Sequence, residues 1–199
     1  SFRIDQKIKI NLNNFLFFKE WLAKNKFNEM YPSRIVSSIY YDNKALQMYN
    51  ESIEGITPRK KIRIRHYPLD ENKTFFLEEK LSSVEGRFKT KKNIELTNGN
   101  HPKFINDKDY GLCKKVIQIE YNREYFGSDQ FRITIDTDIK FKSLLMRKKV
   151  KGKINKVAVE IKTSYDYPMD KLLNDLPFEY IRFSKYCEAV ESICWLFQL

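Results

Sequence analysis

At 199 residues the chain is long enough for one domain with a substantial core, and 42% hydrophobic and 15% aromatic residues exclude a disordered segment. Lysine and arginine number 37 against 26 acidic residues, a net charge of +11. Such a balance calls for an anionic partner, whether nucleic acid, an acidic membrane surface or a small polyanion.

Cys113, Cys187 and Cys194 have no CxxC or zinc-finger spacing, and the histidines are His66 and His101 alone. A disulfide framework and zinc chemistry are therefore not expected, and a reducing, cytoplasmic location is. No apolar run approaches the roughly 20 residues that span a bilayer, and the first residues alternate charge with aliphatics, unlike a signal peptide. The chain does not begin with Met, which points to a piece of something longer.

Ser1 to Ile10 alternates Phe2, Ile4, Ile8 and Ile10 against Arg3, Asp5, Lys7 and Lys9, the period of a strand with one charged face. Residues 11–24 place Leu12, Phe15, Leu16, Phe18 and Leu22 at helical spacing, with Asn11 or Asn13 as cap. A short strand is predicted over 35–41 and a helix over 43–54, closed by Gly55. Arg59 to Lys80 is the clearest hairpin. On its first strand Lys61, Arg63, Arg65 and Tyr67 share one face and Ile62 and Ile64 the other; on its return strand Glu78 and Lys80 oppose Phe75, Leu77 and Leu81.

A basic cluster follows, with Arg87, Lys89, Lys91 and Lys92. Residues 96–112 are rich in Asn, Gly, Pro and Asp and read as a loop with one helical turn. A strand over 116–126 ends in a turn at 127–129. The cleanest alternation, FRITIDTDI at 131–139, sets Phe131, Ile133, Ile135 and Ile139 against Arg132, Thr134, Asp136 and Asp138. Asp136 and Asp138 could form a second carboxylate pair, but a partner for Arg132 or a turn residue is the expectation. Residues 147–156 form a basic turn around Gly152, 157–163 a further strand opposing Glu160 and Lys162 to Val157, Val159 and Ile161, 170–176 a short helix, and 184–198 a terminal helix.

The recurring signature is an apolar face against a face with two or three charges. If the apolar faces pack outward against helices, the charged faces line a polar interior, as in an antiparallel β-barrel. The fold expected is thus α+β, a barrel of roughly eight strands with flanking helices and a C-terminal helix, in one domain over 1–199. Like charges about 4 Å apart repel by roughly 4 kcal/mol at an effective dielectric near 20, so a lining rich in Lys and Arg calls for a polyanion. Arginine forks and lysine point charges both suit phosphate oxygens. RNA readout would require aromatics among the basic residues, and Tyr67 alone supplies one on the Arg63 face, so nucleic acid is not the expected ligand.

Seven segments also carry a family resemblance: RIDQK at 3–7, RKKIRIR at 59–65, LEEK at 77–80, YNR at 121–123, FRITID at 131–136, VAVEIK at 157–162 and RFSKY at 182–186. Together, in this order, they resemble the VTC (vacuolar transporter chaperone) domain of polyphosphate polymerases, a branch of the triphosphate tunnel metalloenzymes. The resemblance implies that Lys7, Arg63, Arg65, Lys80, Lys89, Arg123, Arg132, Lys162 and Lys185 line the tunnel and hold phosphates. It gives Tyr121 and Ser184 as hydroxyl contacts, Arg182 as a further basic position, and Glu160 as the carboxylate for Mn2+ or Mg2+. Many tunnel enzymes begin with ExExK, whereas here Arg3, Asp5 and Lys7 stand at that spacing, a departure that fits the polymerase branch rather than the hydrolytic one. Lys91 stands where an arginine often follows Lys89.

The function implied is transfer of the terminal phosphate of a nucleoside triphosphate such as ATP to inorganic phosphate, pyrophosphate or a growing inorganic polyphosphate. A triphosphatase or nucleotide cyclase on the same tunnel, and a module that only binds polyphosphate, are the other readings. The resemblance also implies a membrane-domain partner or fused domain and a position at the cytoplasmic face of a membrane. From the residues alone, Glu160 and Lys162 could equally be a same-face ion pair on a solvated strand.

Overall fold

The computed structural model describes residues 3–72, 74–96, 100–128, 131–145, 150–164 and 183–197, with side chains for all of these except 3–6, 164 and 195–197. Among these residues ten strands form one sheet: β1 (Arg3–Asn11), β2 (Asn28–Asp42), β3 (Arg59–His66), β4 (Phe75–Ser83), β5 (Gly86–Ile94), β6 (Phe104–Asp107), β7 (Gly111–Gly127), β8 (Phe131–Ser143), β9 (Lys151–Ile154) and β10 (Lys156–Ser164). Three helices accompany them among the described residues, α1 (Phe15–Lys24), α2 (Gln47–Glu54) and α3 (Lys185–Phe197), with a 3-10 turn at Leu12–Asn14. The hydrogen-bonded path runs β1-β10-β8-β7-β2-β3-β4-β5, with β6 on β7 and β9 on β8.

The chain divides into two compact units. The first comprises Ser1–Arg34, Tyr121–Ile139 and Ile154–Phe183; the second comprises Ile35–Glu120, Lys140–Lys153 and Ser184–Leu199. In the first, Ile8, Ile10, Ile133, Ile135, Val157, Val159 and Ile161 pack with Phe18, Leu22 and Phe27 around α1. In the second, Ile39, Tyr41, Ile62, Ile64 and Cys113 pack with Met48 of α2. Each core is the apolar half of the alternation read from the sequence, so in both units the charged residues take the other face. Cys113, Cys187 and Cys194 form no disulfide.

Several boundaries differ from expectation. β2 begins at Asn28, because its first six residues are exposed and carry no burial period to read; Pro32, which lacks an amide donor, falls in that half. β6 and the turn after it replace the helical turn expected within 96–112. Gly152 lies in β9 rather than in a turn: a Cβ there would stand 2.4 Å from the Phe141 ring, so the glycine permits close approach of that ring. Asn11 and Asn13 do not cap α1, whose N-cap is Asn14 without a side-chain bond. The helix expected at 170–176 lies outside the described residues.

The helix predicted from residue 43 begins at Gln47, with Leu46 as its N-cap, and the side chains of Asn43 and Asp42 take up its first amides. Asn43 Oδ1 accepts from the Gln47 amide at 3.0 Å. The fully buried Asp42 accepts from the amides of Asn43 (2.8 Å), Met48 (3.0 Å) and Tyr49 (2.9 Å). It also accepts from the Tyr186 hydroxyl of α3 at 2.7 Å, so one carboxylate joins the end of β2 to two helices. Burial, with the Asp42 charge beside it, holds the Tyr186 phenol well above its ordinary pKa and keeps it a donor. Gly55, at φ 84°, ends α2 as expected.

Asp42→Ala leaves buried donors without an acceptor and is expected to lower the unfolding free energy by about 3 kcal/mol, measured from urea midpoints. A loss below about 1 kcal/mol would show that water replaces the carboxylate.

Candidate functional site

In the second unit the charged face is built on β3. Register places Ser38 opposite Arg65, Tyr40 opposite Arg63, Arg63 opposite Glu78, and Lys61 opposite Lys80. On the far side of β4, Lys80 faces Lys89 and Glu78 faces Lys91. Of the residues singled out from the sequence, Arg63, Arg65, Lys80 and Lys89 thus share one face. The start of α3 adds two more: Lys61 Nζ donates to Ser184 Oγ at 3.0 Å, and the Lys185 charge acts on the Tyr40 phenol.

The centre of this face is a carboxylate that the resemblance does not mark. Glu78, 2% exposed, accepts from Arg63 Nε at 2.8 Å and lies 2.6 Å from Arg63 Nη2, 3.7 Å from Arg65 Nη1 and 2.5 Å from Lys89 Nζ. Burial pushes its carboxyl up, but Arg63, Arg65 and Lys89 together override this and hold it down at about 2. Burial and the neighbouring guanidinium charges hold the Lys89 ammonium below its ordinary value despite Glu78. Arg63 Nη1 also donates to the Tyr40 hydroxyl at 2.8 Å. Burial raises the Tyr40 phenol, yet Arg63, Arg65 and Lys185 outweigh it and the net direction is down. Lys91 stacks over the Phe76 ring, 3.6 Å from its centroid, while Lys89 takes the carboxylate.

In the first unit β1, β10 and β8 form the corresponding face. Lys7 is opposite Glu160, Asp5 opposite Lys162, Glu160 opposite Thr134 and Lys162 opposite Arg132. Lys162 Nζ lies 3.8 Å from Glu160 Oε1, so the ion pair considered from the sequence is present. Arg123 donates to Asp136 through Nε at 2.6 Å and Nη2 at 2.7 Å, with its guanidinium carbon 5.3 Å from the Tyr121 ring centroid. Burial opposes the Arg123 charge, but Asp136, Tyr121 and Glu160 more than restore it. Asp136 was expected to serve Arg132 or a turn; β7 instead brings Arg123 to it, while the Arg132 guanidinium stands 5.8 Å from the Tyr125 ring centroid. Arg182 lies outside the described residues.

Thr134 is 3% exposed, and its hydroxyl is buried without a hydrogen-bond partner. Beside Glu160 it adds a second hard oxygen. One carboxylate and a hydroxyl suit Mg2+ or Mn2+, which keep water and phosphate oxygens as further ligands. Among the described residues no cluster of three or more acidic, His or Cys side chains could hold a metal.

Sequence reasoning missed Glu78, Tyr40 and Thr134 as members of these faces. The parity signal for Glu78 was present, since it alternates with Lys80 against Leu77, but the strand register that surrounds it with cations is not local information. Because its folded pKa of about 2 lies below the ordinary 4.5, Glu78 contributes stability that is full above pH 4.5 and lost as pH falls toward 2. The loss is expected to be about 3 kcal/mol, read from urea unfolding across that range; Glu78→Gln should lack this component, and an unchanged slope would remove the carboxylate from the cluster.

The sequence model of the VTC domain matches residues 2–115 and 108–194. No curated protein matches the chain by sequence. Among solved structures, a Pyrococcus horikoshii OT3 protein superposes with a TM-score of 0.56 at 19% identity, covering 95% of this chain and 99% of its own. A Bacillus halodurans protein proposed to be an adenylate cyclase gives 0.59 at 12% identity, covering 92% and 94%. A Hippeastrum protein, proposed to be an adenylyl cyclase and showing a dominant triphosphatase activity, gives 0.54 at 14% identity, covering 93% of each chain. At these identities the likeness is one of fold. With the family match spanning nearly the whole sequence, the chain belongs to the VTC domain family and carries the triphosphate tunnel fold.

Proposed function

We propose that the chain is a metal-dependent polyphosphate polymerase, which transfers the terminal phosphate of a nucleoside triphosphate, ATP in the first instance, to inorganic phosphate, pyrophosphate or a growing inorganic polyphosphate. The observation that carries this reading is the pair of sheet faces in a VTC domain on which Lys and Arg converge, with Arg63, Arg65 and Arg123 largely buried. Such faces bind and orient phosphates; they do not call for a covalent intermediate.

Arg63, Arg65, Lys80, Lys89, Ser184 and Lys185 would hold phosphate oxygens in the second unit, and Lys7, Tyr121, Arg123, Arg132 and Lys162 in the first. Glu160, with Thr134 beside it, would hold Mn2+ or Mg2+, which when bound neutralises charge on phosphate oxygens. Phosphoryl transfer needs little beyond alignment of donor and acceptor and stabilisation of charge on the migrating group. Fixed guanidinium and ammonium groups supply that stabilisation with little reorganisation when neighbours outside the phosphate position already hold them, as Tyr40 holds Arg63 and Asp136 holds Arg123. The acceptor would be a phosphate terminus already charged at neutral pH, so no general base is required. A membrane-domain partner and a position at the cytoplasmic face of a membrane complete the proposal; no helix of the described residues is long and apolar enough to cross a membrane.

A second reading, hydrolysis or cyclisation of a nucleoside triphosphate, is favoured by the triphosphatase activity of the Hippeastrum protein that shares the fold. Incubation with ATP and Mn2+ separates the readings: long phosphate chains support the polymerase, while orthophosphate or a cyclic nucleotide alone supports the second. No turnover, with tripolyphosphate still bound, supports a binding module. Glu160→Gln is expected to lower metal-dependent turnover at least a hundredfold while leaving tripolyphosphate affinity within about threefold. Unaltered turnover in that variant would exclude Glu160 from the reaction.

A further inference from the structure

Glu78 has the wrong sign for a phosphate site, yet it sits where phosphate-binding groups converge. Both of its oxygens are engaged. Oε2 takes the Nε and Nη2 edge of Arg63, at 2.8 and 2.6 Å, and lies 3.7 Å from Arg65; Oε1 takes Lys89 at 2.5 Å. The Nε–Nη edge of a guanidinium is one a phosphate uses for paired contacts. The side chains of Arg63 and Arg65 are 11% and 7% exposed, so water does little to screen them. The carboxylate therefore does for these cations what an anionic ligand would do.

We infer that Glu78 is a built-in competitor for phosphate, occupying the Arg63, Arg65 and Lys89 groups until a phosphate oxygen takes its place and thereby limiting how tightly a phosphate chain is held. This rests on the reading of the face as phosphate-binding. A terminal phosphate carries nearly two charges at neutral pH against one on the carboxylate, so it can displace Glu78, though only by the difference between them. Such a limit suits a site that must release what it binds, because affinity shared equally by the bound ground state and the transition state does not speed the reaction. In the empty protein the same carboxylate relieves the repulsion among three neighbouring cations, whose charges would otherwise oppose folding.

A purely structural ion pair and a competitor differ in the sign of one measurement. If Glu78 only orders the cations, its removal weakens phosphate binding; if it competes, its removal strengthens it. The test is titration of the whole chain with sodium tripolyphosphate at low salt, followed by calorimetry, for the natural protein and Glu78→Gln. The variant is expected to melt at a lower temperature when empty, to bind tripolyphosphate about tenfold more tightly, and to gain more in melting temperature on binding. Equal or weaker binding by folded Glu78→Gln would overturn the inference. Should that variant not fold, Glu78→Asp keeps the charge but is one methylene too short to bridge Arg63 and Lys89; severalfold tighter binding is then expected, and equal or weaker binding overturns the inference equally. Natural protein that binds no tripolyphosphate would instead overturn the phosphate reading of the face, and this inference with it.

Discussion

Crowding cations on one side of a sheet is the constraint from which the rest follows. Each unit meets it with a carboxylate taken out of water: Glu78 among Arg63, Arg65 and Lys89, and Asp136 under the paired nitrogens of Arg123. Burial alone would favour the neutral acids, but the opposing charges hold Glu78 ionised, and ionised it fixes the guanidinium planes. Preorganisation and compensation are thus one arrangement. The positive groups stand ordered before any ligand arrives, and some of their attraction is already used within the protein.

The apolar side of each unit makes this arrangement possible. Ile62 and Ile64 anchor β3 in one core, and Ile133, Ile135, Val159 and Ile161 anchor β8 and β10 in the other. Period-two geometry then leaves Arg63, Arg65, Thr134, Glu160 and Lys162 no choice of side. A slip of one residue in any of these strands would exchange isoleucine for charge in the core, so the same packing that stabilises each unit also fixes the register of its polar face.

That logic explains what could be read from the sequence. Alternation is local, so β3, β4, β8 and β10, and the parity of Arg63, Arg65, Arg132, Glu160 and Lys162, were legible in the order of residues. Cross-strand neighbours are not local. The contacts of Glu78 with Lys89 and of Asp136 with Arg123 depend on which strands pair and in what register, and the expectation that Asp136 serves Arg132 failed for that reason. The exposed half of β2 and the short β6 had no burial period to announce them. Asn43 looked like the start of a helix because residues that take up first-turn amides and first-turn residues have the same composition. The assignment of roles to Lys7, Tyr121, Ser184 and Lys185 came from family resemblance, since nothing in their spacing distinguishes a phosphate contact from a solvated side chain.

Asp42 illustrates how far from a ligand a residue can be and still look functional in a mutational survey. Its Oδ2 is shared by the Tyr49 amide in the first turn of α2 and the phenol that docks α3, and α3 begins with Lys185 just after Ser184, the acceptor for Lys61. Loosening that anchor would shift two polar groups without altering either of them. Loss of activity mapped to the end of β2 would then reflect misplacement of a helix terminus, and a survey that scored activity without abundance would misread a hinge pin as part of the chemistry.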